Sequence, residues 1–93
     1  MEILKPYRAK IDALDEKIVA LLVERFNVVH EVGKIKAAHN IPVILEDRIR
    51  EVIDRAGERA GMHEDTIREI YTLIVTIACD LEDKIIETHT DIA

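Results

Sequence analysis

Residues 7–38, YRAKIDALDEKIVALLVERFNVVHEVGKIKAA, decide the fold. Stepping by four and three from Tyr7 gives Ile11, Leu14, Ile18 and Leu21, then Arg25, then Val28, Val32 and Ile35. Lys10, Glu16, Lys17 and Glu24 fall on the other faces, which is the pattern of an amphipathic helix. Pro6 suits the first helical position, where a missing N–H costs nothing. Pro42 disfavours helical geometry at Ile41, so the helix ends near His39 and Asn40. A helix over about 6–39 has about 33 residues and a length of about 50 Å. A compact globule of 93 residues is only about 32 Å across. The chain therefore cannot cover its own apolar stripe, and the expected solution is a two-fold homodimer in which each long helix covers the other.

Beyond this helix, residues 40–45 form a short loop. Glu46 and Asp47 open a second helix, about 46–60, since acidic side chains suit a helix N-terminus. Ile49, Val52, Ile53, Ala56 and Ala60 give its buried side, and Gly57 and Gly61 mark its weakening and end. A third helix spans about 64–88, with Ile67, Ile70, Ile74, Ile77, Leu81 and Ile85 as its stripe and fraying expected between Glu87 and Asp91. No strand alternation, hairpin signal, internal repeat or interdomain linker interrupts this reading. The expectation is one all-α domain over 1–93, made of one long, one short and one medium helix in an intertwined homodimer.

The chain is 48% hydrophobic and 34% charged, the balance of a soluble helix-rich protein. Nineteen acidic against thirteen basic residues leave a net charge of −6, which disfavours nucleic acid as a partner. Tyr7, Phe26 and Tyr71 are too few aromatics for a base-stacking platform. No apolar run approaches the roughly 18 residues that span a bilayer, and MEILKPYRAK lacks the core of a signal peptide, so the expectation is a cytoplasmic protein without membrane contact. The single Cys79 fits a reducing compartment and reads as a core thiol. His30, His39, His63 and His89 have no metal-ligand spacing, and neither a Gly-rich phosphate loop nor a Ser, His and Asp set stands out.

The cations carry more information. Lys36 follows Arg25 by eleven residues, so the two point within roughly 20° of each other about 16 Å apart along one helix, with Val29 and Val32 between them. Arg48 opens the second helix and Arg8 sits near the start of the first. Arg25 replaces an apolar residue in the stripe, and a buried charge needs an anionic partner. That partner is either a carboxylate such as Glu82 across the bundle or a small anionic ligand, and spacing leaves both open. Glu82 itself borders the third stripe, either as a solvated or ion-paired residue or as a part-buried carboxyl that donates a hydrogen bond.

The run IDALDEKIVALLVERFNVVHEVGKIKAAHNIPV, followed by EDRIREVI, resembles the all-helical (AroQ) class of chorismate mutases. The resemblance extends from Arg8 to about Ile85 and is most specific over Asp15–Arg25 and Val32–Lys36. It implies an intertwined homodimer with two active sites and the cofactor-free Claisen rearrangement of chorismate to prephenate, a step of aromatic amino-acid biosynthesis on the shikimate pathway. By position, it implies that Arg25 binds a substrate carboxylate and that Arg8 grips a carboxylate from across the dimer interface. Lys36 would bond a carboxylate and the ether oxygen of the breaking C–O bond, and Arg48 would order the pocket and its anion. Glu82 would supply a second hydrogen bond to the ether oxygen, at a position where many members have Gln and some, fungal enzymes included, have Glu. Only a protonated carboxyl can donate there, so activity should decline as pH rises and Glu82→Gln should flatten the profile.

Three positions depart from the family's pattern. Ile49 stands where a Glu often binds the substrate's ring hydroxyl, Ala78 replaces a Ser, and Leu45 replaces a loop Asp. Ile49 brings in two relatives with the same fold: isochorismate pyruvate lyases, which yield salicylate, and aminodeoxychorismate mutases. Glu82 counts against the lyase, which has Gln there. A non-catalytic helical dimerisation module is the reading from a different class.

Overall fold

The computed structural model describes residues 2–92, with side chains through residue 88; the His89 side chain lies outside the described residues. Three helices follow one another: α1 Lys5–His39, α2 Glu46–Glu58 and α3 Glu64–Ile92, with a single 3-10 turn at Gly61–His63 before α3. No strand occurs among the described residues.

Helix α1 has 35 residues, with Pro6 in its first turn. It stops at Asn40, which adopts the left-handed conformation (φ 54°) that Asn tolerates better than most residues. The N–H groups of Asn40 and Ile41 both donate to the Lys36 carbonyl, closing the last turn. Helix α2 ends at Glu58, two residues short of the expected boundary, and Gly61 (φ 57°) takes the turn into α3. Helix α3 runs on to Ile92, through the polar segment in which fraying was expected.

Helix α3 packs against both α1 and α2, while α1 and α2 do not pack on one another. The α1–α3 contact closes at Gly33. A Cβ there would stand 2.8 Å from Ile85 Cδ1 and 3.4 Å from Glu82 Cα, so the missing side chain is what lets the helices meet. The α2–α3 contact is clamped by Arg68, which lies over Gly57 and donates to Asp54 Oδ1 and Glu64 Oε1, each at 2.7 Å.

The sequence stripe assigned to α3 holds in part. Ile67, Ile74, Leu81 and Ile85 are part-buried and Ile85 meets Gly33, but Ile70 and Ile77 are exposed, and the fully buried positions are Val75, Ala78 and Glu82. Helix α3 has two apolar faces about a third of a turn apart, and the face that meets α1 is the one that brings Glu82 and Ile85 against Gly33. Ile70, Leu73 and Ile77 remain uncovered on the other.

The chain is elongated, 59 × 26 × 15 Å, with a radius of gyration of 17.0 Å against about 12 Å for a compact chain of this length. Tyr7, Ile11, Leu14, Ile18, Leu21 and Val28 are all exposed along α1, as the length argument requires of a single copy. No helix is long and apolar enough to cross a membrane among the described residues.

Candidate active site

Because α1 and α2 diverge while α3 bridges them, a cleft of about 400 Å³ opens between the three helices and the 40–45 loop. Arg25, Val29, Val32 and Lys36 line it from α1, a face set by helical geometry alone. Val43 and Leu45 enter from the loop, Arg48, Ile49 and Val52 from α2, and Val75, Ala78, Cys79 and Glu82 from α3.

Lys36 is the most constrained of the cations. Its Nζ donates to the Val43 carbonyl at 3.0 Å and stands 2.8 Å from Glu82 Oε1. Glu82 is only 5% exposed, the one buried charged residue among those described. The contact is an ion pair by distance, without the alignment of a good hydrogen bond. Closeness at Gly33 sets this geometry, since Gly33 lies one turn before Lys36 and directly against Glu82.

Arg25 has the opposite character. Its Nη1 is buried without a hydrogen-bond partner, and no ion pair involves it among the described residues. The choice left open by spacing is thereby narrowed: Glu82 belongs to Lys36, and Arg25 faces the cleft unpaired. Arg48, at the exposed rim, is held by Glu51 one turn on, which also takes Arg55 at 3.5 Å.

Arg25, Lys36, Arg48 and Glu82 thus come together as the sequence suggested, and Arg8 does not. Arg8 lies seventeen residues earlier on the straight helix α1, about 25 Å from Arg25 along its axis. Two components had gone unread. The Val43 carbonyl has no side-chain signature. Cys79, read as a core thiol, is half-buried in the cleft wall; its position three residues before Glu82 is the signal that places it there. Burial pushes the Cys79 thiol up, Glu82 adds to the shift and Lys36 opposes it, so the group is a protonated thiol rather than a nucleophile.

Chemically, the cleft offers three cations, one carboxyl and an apolar floor. That set has the charge and shape to suit a small dianion with an apolar body, with donors at fixed positions. Val43, Leu45, Ile49 and Val52 make one wall free of side-chain hydrogen-bond acceptors. Among the described residues no three His, Cys, Asp or Glu side chains gather as metal ligands.

Residues 7–83 match the family described as chorismate mutase type II. The chain is 34% identical over 91 residues to the bifunctional chorismate mutase/prephenate dehydratase of Aquifex aeolicus, covering 91% of this chain and 25% of that protein. It is 33% identical over 73 residues to the T-protein of Haemophilus influenzae, covering 75% and 19%. Against the 4-amino-4-deoxychorismate mutase of Streptomyces venezuelae it is 29% identical over 90 residues, covering 94% and 87%. The chain therefore spans a quarter or less of the first two relatives and most of the third. No solved structure matches it.

Proposed function

The chain belongs to the chorismate mutase type II family, and from that premise we propose that it is an isomerase that rearranges chorismate to prephenate in this cleft, as a homodimer. One observation carries the proposal: the part-buried Arg25, whose Nη1 is out of water and has no hydrogen-bond partner, in the same cleft as Lys36. A donor atom shut away from water without an acceptor is costly, and a substrate carboxylate removes that cost.

Chorismate is a dianion. Arg25 and Arg48 hold its carboxylates from one chain, and Arg8 of a second chain supplies a further cation, which requires the uncovered α1 stripe to bury itself against its copy. Holding both carboxylates selects the compact conformer in which the reacting carbons meet, an orientation effect. In the rearrangement the ether C–O bond breaks as a C–C bond forms within the same molecule, so no atom is gained or lost and no acid, base or nucleophile is needed. The ether oxygen gathers negative charge in the transition state, and Lys36, already fixed by Val43 and Glu82, stabilises that charge more than the ground state. Glu82 Oε1 faces Lys36 and holds the ammonium where the ether oxygen meets it.

The wall at Ile49 supports a second reading. It offers the ring substituent no acceptor, so discrimination between a ring hydroxyl and a ring amine is weak. A relative named 4-amino-4-deoxychorismate mutase matches over most of its own length. Separate incubation with chorismate, 4-amino-4-deoxychorismate and isochorismate, with product identification, decides the matter. Prephenate is the expected product; the amino analogue of prephenate supports the second reading, salicylate with pyruvate a lyase, and no turnover a non-enzymatic helical module.

A further inference from the structure

Arg25, Arg48 and Val52 border a second cavity as well, a wider groove of about 670 Å³ along α2 toward the 3-10 turn. Arg55, Arg59 and His63 join Arg25 and Arg48 in lining it, over an apolar floor that includes Ile67 and Tyr71, and no carboxylate lines it. Glu51 neutralises part of Arg48 and Arg55 from outside the groove. Arg59 has no hydrogen-bond or ion-pair partner among the described residues, and the buried Nη1 of Arg25 has no hydrogen-bond partner at the edge the two cavities share.

This concentration of cations lies on a chain whose net charge is −6, which repels a dianion at long range. A concave surface of one sign focuses the field and raises the local concentration of the opposite ion. We propose that the groove is an outer binding site for the dicarboxylate substrate, in which Arg55 and Arg59 collect the dianion and pass it over the Arg25–Arg48 edge into the cleft. The inference rests on the chorismate reading of that cleft and adds to it a route of approach and two binding residues.

The test measures kcat/KM for chorismate across ionic strength in the wild type, in R55Q/R59Q, and in R50Q/K84Q, which removes the same charge from exposed positions outside the groove. The groove variant is expected to lose about three- to tenfold at low ionic strength, carried by KM. The loss should shrink toward nothing near 0.5 M salt, where the screening length is about 4 Å. The control variant should follow the wild type. Parallel salt dependence in both double variants overturns the proposal. So does dissociation of R55Q/R59Q in sedimentation with an unchanged salt slope, which assigns these arginines to contacts with a second copy. If the wild type turns over no chorismate, the catalytic reading fails on its own. The groove is then decided by titrating ¹⁵N-labelled protein with prephenate: shifts spanning Arg55 to Tyr71 support it, and their absence overturns it.

Discussion

Lys36 Nζ lies 2.8 Å from Glu82 Oε1, with side chains 13% and 7% exposed, and the same ammonium donates to the Val43 carbonyl. One cation therefore ties the end of α1 to α3 and to the loop before α2. Because both charges are largely out of water, neither is free to leave its partner without cost. The donor proposed for the ether oxygen is thus held in place before substrate arrives, which is what electrostatic preorganisation requires.

The pair makes the placement of Lys36 depend on Glu82. Glu82→Ala takes away the carboxyl that faces the ammonium and leaves the Val43 carbonyl as its remaining partner. A folded Glu82→Ala protein should therefore show a lower kcat for chorismate than the wild type. Equal values in the two proteins would remove Glu82 from the mechanism.

Gly33 fixes the distance between the helices that carry this pair. Gly33→Ala gains about 1 kcal/mol of helix propensity, while its Cβ displaces only the tip of Ile85. Chemical denaturation should place it within about 1 kcal/mol of wild type. A larger side chain also meets the Glu82 backbone, so Gly33→Leu should lose about 2 kcal/mol or more and lower kcat by displacing Glu82 from Lys36. A Gly33→Leu protein of native stability and rate would contradict the close packing.

How much of this was legible before the structure depends on the element. Helix α1 and its excess length follow from one periodic run bounded by Pro6 and Pro42, and the shared face of Arg25 and Lys36 follows from helical geometry alone. The burial of Glu82 does not. Helix α3 is apolar on two faces, and choosing between them requires knowing that Gly33 meets Ile85 and Glu82, a tertiary contact without local signature. The Val43 carbonyl was illegible for a simpler reason: every residue has one. Arg8 is identified by resemblance only, since nothing within a single chain brings it to the cleft.

Arg8 leads to a test by complementation. Arg8→Ala and Arg25→Ala should each be nearly inactive as homodimers. In a mixed heterodimer one cleft receives an intact Arg25 from its own chain and an intact Arg8 from the other. Refolding the two variants together at equal amounts should restore about a quarter of wild-type activity, because half of the dimers are mixed and each has one competent site. No recovery on mixing would exclude a shared site.

Cys79 provides a stability test. Burial raises its pKa in the folded chain above the ordinary thiol value, so the native state disfavours the thiolate relative to the unfolded state. Its contribution is complete below the unfolded pKa, about 8.5, and is lost as pH rises from there through the raised folded value. Thermal unfolding followed between pH 7 and 10 should show this alkaline decline reduced in Cys79→Ala. Iodoacetamide should react more slowly with native Cys79 than with the unfolded chain, and bound substrate should slow it further.

The most direct measurement compares kcat for chorismate in wild type and Lys36→Gln, with helical content of both checked by circular dichroism. Gln keeps a neutral amide donor on a side chain one atom shorter and presents no charge to the ether oxygen. A folded variant that forms prephenate about 100- to 1000-fold more slowly is the predicted result. A folded Lys36→Gln protein that turns over chorismate at the wild-type rate would contradict the assignment of this cleft as the place where the rearrangement occurs.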